Sequence, residues 1–387
     1  MFSQRTNWNL AANRYTEAIE AHRRAGRELL DLTASNPTTV GLRYDGEKIL
    51  AALANAAALA YEPIAKGLLT ARSAVAGYYG EMGVALDPEQ LILTTSTSEA
   101  YTFCFRLLCE PGDEVLVPTP SYPLFEFLAE LQDVKLVPYE LIYDHGWQID
   151  FHSLSQKLTP KSKAVIVVHP NNPTGSFVKP HEREQLSETC AAREMAIIAD
   201  EVFLDYSLGE KAESFAGNEM CLTLTMSGLS KISGLPQMKV AWLAVSGPSE
   251  LQREALARLD VIADTYLSMN APIQHAVPAL LEERRSIQQQ LNARVRTNLS
   301  ELERQLESHR SVTRLDVEGG WYAILRVPVT RSDEDLAIEL ISLHDILVQP
   351  GHFYDFASDG YLVISLITPE ETFREGLARA LRHIATL

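Results

Sequence analysis

Short apolar runs punctuate the middle of the chain, and stretches with helical spacing lie between them. LILTT (91–95) is followed by SEAYTFCFRLLCE, whose apolar residues recur three and four apart until Pro111 and Gly112 stop them. EVLVP (114–118), VKLVPYEL (134–141), AVIVVHP (164–170), MAIIADEVF (195–203), LTLTMS (222–227) and VAWLAVS (240–246) read as further strands. Continuous apolar strands separated by helices predict a mostly parallel sheet buried on both faces, the mark of an α/β fold. This large domain is expected over residues 45–275. VPALLEERRSIQQQLNARVRTNLSELERQLESH (277–309) predicts a long helix, or a pair, leaving it. GGWYAILRVP, DEDLAIELISLHD, ILVQPG, GYLVISLIT and a last amphipathic helix predict a smaller α+β domain. Residues 276–387 would build it together with residues 1–44, whose helix is expected at about 8–26.

Composition narrows the partners. The 387 residues are 46% hydrophobic and 22% charged, an ordinary globular balance with room for two domains. A formal net charge of −17 repels phosphate backbones and acidic lipid, so neither nucleic acid nor a membrane surface is expected as a partner. No apolar run approaches the ~20 residues of a membrane span. MFSQRTNWNLAANRYTEAIEAHRRAG lacks the hydrophobic stretch of a signal peptide, which makes the cytoplasm the expected location. Cys104, Cys109, Cys190 and Cys221 show no CxxC spacing and no nearby histidine cluster, so free thiols are expected and no metal site.

The chemistry-bearing residues fall after predicted strands, where doubly wound sheets bind ligands. After LILT, Ser96 and Glu99 have capping-box spacing, and a helix start favours an anion. After AVIVV comes HPNNPTG, which turns Asn172 toward the same edge. After AIIA comes Asp200, a carboxylate that is costly at the end of an apolar strand unless a cation or protonated ring faces it. After LTLT comes Lys231, a lone amine among Ser227, Gly228, Ser230, Ser233 and Gly234. Singly these are a helix cap, a turn, a salt-bridge candidate and a loop lysine.

Together, the cap turn, the aromatic turn PTPSYPLF, NNPTG, ADEVF and SGLSK resemble, in this order, the pyridoxal-phosphate enzymes of the aspartate aminotransferase superfamily, fold type I, class I/II. The resemblance runs from about Asn36 to the C-terminus. It implies pyridoxal 5'-phosphate as cofactor, with Lys231 as the lysine that holds it covalently and later moves the substrate proton. Small neighbours would let Lys231 reach the cofactor, and cationic surroundings would depress its pKa. Asp200 matches the carboxylate on the pyridine N–H, Asn172 the donor to the ring 3-oxygen, and Tyr122 the aromatic stacked on the ring. Ser96, Thr97 and Ser98 match the phosphate turn, with Ser227 adding a hydroxyl. Tyr61, in AYEPIAKGLL, matches a tyrosine that reaches the phosphate of a neighbouring subunit, which implies a homodimer. Asn36 falls in the loop that covers the substrate.

Three positions depart from the pattern. Lys239 stands where an arginine meets the phosphate, keeping the charge and losing the bidentate fork. Phe203 stands where a tyrosine hydroxyl would reach the ring 3-oxygen, and Tyr206, three residues on, is expected to face away. Val363, in YLVISL, stands where an arginine would clamp the substrate carboxylate; Arg14, Arg43 and Arg326 are the substitutes considered. The resemblance therefore implies an aminotransferase that moves an amino group between an amino acid or amine and a 2-oxo acid. The absent arginine keeps a second reading open: a lyase, decarboxylase or synthase on the same fold. No GxGxxG follows an early strand, which removes a nicotinamide enzyme, and a regulator built on this fold would need a DNA-binding region that the chain has no room for.

Overall fold

Eight strands form the main sheet of the computed structural model, which describes residues 1–387. In chain order they are Leu91–Thr94 (β1), Glu114–Thr119 (β2), Lys135–Tyr143 (β3), Trp147–Ile149 (β4), Ser162–Val168 (β5), Ala196–Asp200 (β6), Thr223–Gly228 (β7) and Ala241–Ser246 (β8). Their spatial order is β1-β8-β7-β6-β5-β2-β3-β4. From β7 across to β3 the pairing is parallel. Only β8 and β4 run against their neighbours.

The apolar runs become strands because both of their faces are covered. Ala164, Ile166 and Val168 pack toward helices Thr97–Leu108 and Ser249–Tyr266. The alternate residues Val165 and Val167 pack with Leu186 and Cys190 of helix Pro180–Ala192. Each fully buried aliphatic side chain contributes roughly 1.5–3 kcal/mol, which fixes the register of the sheet.

A second sheet of four strands, Thr313–Arg314 (β9), Tyr322–Arg326 (β10), Gln349–Pro350 (β11) and Tyr361–Ser365 (β12), is antiparallel throughout, in the order β9-β10-β12-β11. The start of the chain joins it. Helix Arg14–Arg24 packs on helix Asp333–His344, and the Tyr15 hydroxyl donates to the Val348 carbonyl at 2.6 Å. Leu30–Asp31 pairs in parallel with Ile346–Leu347. The stretch read as one helix or two is two, Ala271–Glu282 and Arg284–Leu306. The first buries Ile273, Val277 and Leu280 against helix Leu69–Glu81, while the second buries Leu291, Val295 and Leu302 in the core of the smaller sheet. One straight helix cannot serve both cores, and Arg284 marks the break by donating to the Leu281 carbonyl at 2.7 Å.

The turn after β5 is tied to the smaller unit. The Gly175 carbonyl accepts from Glu318 N–H at 3.1 Å and Gly319 N–H at 2.9 Å. Gly175 has φ +68°, and a Cβ there would lie 2.3 Å from Val317 Cγ2 and 2.6 Å from the Gly319 oxygen. Both the left-handed backbone and the close approach require glycine. Gly175→Ala should therefore destabilise the protein by about 2 kcal/mol or more in denaturant titration. A change within experimental error would mean that the turn relaxes freely and does not tie the two units.

Candidate active site

Where the carboxyl ends of β1, β5, β6 and β7 meet, side chains from four turns enclose a cavity of about 440 Å³. Asp200, the last residue of β6, is buried in it. Its carboxylate accepts from the Val202 N–H at 3.2 Å and the Tyr101 hydroxyl at 3.1 Å. Burial pushes its pKa up to about 6, against the pull of those two donors and of the Lys231 amine.

Lys231 reaches the cavity from the short helix Leu229–Ile232 that follows β7. The turn is held from three sides. Tyr206 donates its hydroxyl to the Lys231 carbonyl at 2.6 Å, Gln288 donates to the Ile232 carbonyl at 3.0 Å, and Ser233 donates to the Leu280 carbonyl at 2.9 Å. Gly228 lets β7 meet the start of β8 closely, since a Cβ there would stand 2.7 Å from the Val240 oxygen. The Lys231 amine makes no ion pair; it lies 5.0 Å from the Trp321 ring centre and 5.5 Å from that of Phe203. Burial lowers its pKa to about 8, with Asp200 opposing. The expected cationic surroundings are not there, because Lys231 is the only lysine or arginine lining the cavity. Desolvation does what neighbouring charge was expected to do.

The other walls are neutral. Asn172 lines the cavity, its side chain makes no hydrogen bond, and its buried Oδ1 is unpaired. Ser96 caps helix Thr97–Leu108 by accepting from the Glu99 N–H at 3.2 Å, and the Glu99 carboxylate turns back onto Thr95 N–H at 2.6 Å. Thr97 and Ser98 line the cavity at the helix start, where their N–H groups have no intrahelical partners. Tyr122 is 44% exposed and forms one rim.

The structure brings together seven of the residues singled out in the sequence: Ser96, Thr97, Ser98, Tyr122, Asn172, Asp200 and Lys231. Four others lie outside the lining of the single chain. Ser227 is buried in β7, where its hydroxyl donates to the Glu201 carbonyl at 3.3 Å. Lys239 is exposed, in a left-handed turn at φ 53° after Pro236–Met238. Tyr61 is 79% exposed. Asn36 spends its Oδ1 on the Thr38 N–H and hydroxyl, at 3.0 and 2.7 Å, and its neighbour Ser35 lines the cavity instead. Phe203 does line the cavity; Tyr206 is turned aside, as expected, but in a turn rather than a strand. Tyr101, Tyr322, Gln349 and Tyr354 went unnoticed in the sequence. Only Tyr101 left a signal there, a hydroxyl in the apolar helix beside a strand that ends in a buried carboxylate.

None of the three arginines considered as substitutes reaches the cavity. Arg14 pairs with Glu334 at 3.2 Å and Asp335 at 2.7 Å, and Arg43 and Arg326 are exposed elsewhere. Val363 is fully buried in β12.

Residues 8–379 match the family model for aminotransferase class I and II. The chain belongs to this aminotransferase family. It is 25% identical over 371 residues to the glutamate-pyruvate aminotransferase AlaA of Haemophilus influenzae, covering 93% of this chain and 91% of that protein. It is 28% identical over 353 residues to an alanine aminotransferase of Mycobacterium tuberculosis, covering 87% and 81%. An alanine aminotransferase structure from Pyrococcus furiosus superposes with TM-score 0.90 at 22% identity over 100% of both chains. A Thermus thermophilus aspartate aminotransferase variant superposes with TM-score 0.85 at 24% identity over 99% of both. The fold of this aminotransferase family member is thus the fold type I architecture, a large mostly parallel sheet beside a smaller antiparallel one.

The pKa of the Lys231 amine is open to direct measurement. In cofactor-free protein, acylation of Lys231 followed by peptide mass spectrometry should rise through an inflection near pH 8, because the neutral amine is the nucleophile. Asp200→Asn should move the inflection downward, since the carboxylate favours the ammonium form. An inflection at the ordinary lysine value of 10.5, or an upward move in the variant, contradicts this electrostatic account.

Proposed function

We propose that this chain is a pyridoxal 5'-phosphate-dependent aminotransferase that moves an amino group between an amino acid and a 2-oxo acid, and that it works as a cytoplasmic homodimer. The observation that carries the proposal is the placing of one unpaired lysine amine and one buried carboxylate in a single cavity, with uncommitted polar groups on the remaining walls. No helix is long and apolar enough to cross a membrane, in keeping with that location. The names of the relatives, which print glutamate, pyruvate and alanine, favour amino acids and 2-oxo acids over amines.

The residues present fit the cofactor. The amine of Lys231 has no partner, the Asn172 amide is uncommitted with its Oδ1 buried, and the helix start at Thr97 and Ser98 offers N–H groups to an anion. Once bound, the cofactor supplies an electron sink for the negative charge left when the substrate carbon loses its proton. The protein's own residues set up that step. Lys231 would hold the aldehyde carbon and, once displaced by substrate, carry the proton from carbon to carbon. Its lowered pKa keeps a share of the amine neutral near neutral pH. Asp200, ionised above about 6, would keep the pyridine nitrogen protonated. Asn172 would donate to the ring oxygen, Tyr122 would cover the ring, and Thr97 and Ser98 would receive the phosphate.

Tyr61, Lys239, Ser227 and Asn36 are proposed for the same site in the assembled dimer. Leu50, Leu59, Tyr61, Ile64 and Leu69 are all exposed on one stretch of chain, an apolar surface that a second copy would cover. The division into residues 45–275 and residues 1–44 with 276–387 is part of this proposal, because the cavity takes residues from both parts.

Two outcomes test it. Lys231→Ala should lower transamination of alanine or glutamate with a 2-oxo acid by on the order of 10²–10⁴-fold or more. Mixing that variant with an inactive Tyr61 variant should restore part of the activity, because one of the two sites in a mixed dimer is then intact. Full activity of Lys231→Ala, or of a dilute monomer, would refute the assignment.

A further inference from the structure

The smaller sheet presents a face to the cavity whose chemistry the family assignment does not explain. In antiparallel pairs, residues directly opposite one another project on the same side. Val363 in β12 lies opposite Ile324 in β10 and Gln349 in β11, and Tyr322 lies opposite Ser365. Tyr322 and Gln349 line the cavity, so this is the face turned toward Lys231 and Asp200. Val363 lies on that face but is fully buried and does not reach the cavity, whereas Gln349 beside it does. The Tyr354 hydroxyl donates to Gln349 Oε1, and Tyr354 itself is buried, which pushes its pKa well up and keeps it a donor. The Tyr354 carbonyl accepts from the Ser121 N–H at 2.9 Å, fixing this loop to the turn that carries Tyr122. With Oε1 occupied, the amide group of Gln349 has its two N–H bonds to offer, and no protein acceptor takes them. Ser35, from the N-terminal loop, lines the same cavity.

We infer that Gln349 is the specificity-determining contact of this site, its amide N–H groups receiving the carboxylate of the amino donor, with Tyr354 as the residue that aims it. The inference rests on the proposed transamination. A neutral amide binds a carboxylate with less energy than a bidentate guanidinium does. The site therefore takes the amino acid's carboxylate through neutral donors, with weak dependence on salt, and tolerates a donor whose carboxylate is replaced by a carboxamide. Within one chain, Lys231 is the only lysine or arginine lining the cavity, so no arginine of the same chain competes with Gln349 for the carboxylate.

A charge series at one position tests this in the holoenzyme, with kcat and KM measured for the best α-amino acid donor and for its carboxamide. Gln349→Leu and Gln349→Glu should raise KM for the amino acid by about tenfold or more, and Gln349→Arg should lower it by a similar factor. The carboxamide should respond to Gln349→Leu and be nearly blind to the charge changes. Tyr354→Phe should raise KM for the amino acid with kcat and cofactor affinity held, and the effect should vanish in the Gln349→Leu background. Thermal melts of each variant separate loss of contact from loss of fold. A KM for the amino acid that stays flat across Leu, Glu and Arg at position 349 would overturn the inference. Wild-type protein that moves no amino group from any donor would instead overturn the proposed function on which it rests.

Discussion

Asp200 ends the strand Ala196–Asp200 with its carboxylate buried among neutral groups, and much of the structure around it answers that cost. A lone buried carboxylate is expensive, and here it has one hydroxyl, one backbone N–H and one unpaired amine for company. The charge survives near neutral pH because the Tyr101 and Val202 donors and the Lys231 ammonium each lower its pKa, although burial still holds it near 6. Lys231 bears the converse penalty, held near 8 by the same lack of water. Each is poorly satisfied alone, and neither forms an ion pair with the other. Two groups whose pKa values are both shifted by burial in one cavity are a common feature of functional sites.

The fold makes this placement possible by gathering strand ends. Parallel order from β7 to β3 brings Asn172, Asp200 and Lys231 to one edge, although the chain between them runs through the helical crossover Pro180–Ala192 and a long connection with no α-helix. The antiparallel sheet then closes the cavity from the other side with Tyr322 and Gln349, and Tyr354 follows on the next turn. The N-terminal segment holds that sheet in place: Ser365 N–H donates to the Leu32 carbonyl at 2.7 Å, and Tyr15 to the Val348 carbonyl. Chemistry comes from the large sheet and the reading of the substrate from the small one, in the function proposed here.

Legibility in the sequence followed the range of the forces involved. The runs at 164–168 and 196–200 were plain, because strands buried on both faces need no alternation to be seen. The three-residue strand Trp147–Ile149 was not, since its pairing with β3 is set by the turn at Asp144–Gly146 rather than by any pattern of its own. Asp200 and Lys231 were legible because charged residues beside apolar runs are conspicuous. Gln349 and Tyr354 were not: their importance arises from a strand pairing that sets residue 349 beside residue 363. The absent arginine at 363 was readable, but what stands in its stead depends on tertiary register. The pKa of Lys231 was expected to fall, and it does, through burial rather than through neighbouring cations.

The central claim is that Lys231, facing Asp200, is the covalent anchor of the cofactor. Reduction with borohydride of the protein purified with added pyridoxal 5'-phosphate, followed by digestion and peptide mass spectrometry, tests it most directly. The account predicts the mass of reduced pyridoxal phosphate on the peptide containing Lys231, and its absence after prior treatment with an amino donor that converts the cofactor. Label on another lysine, or a protein that takes up no pyridoxal phosphate at all, would contradict it.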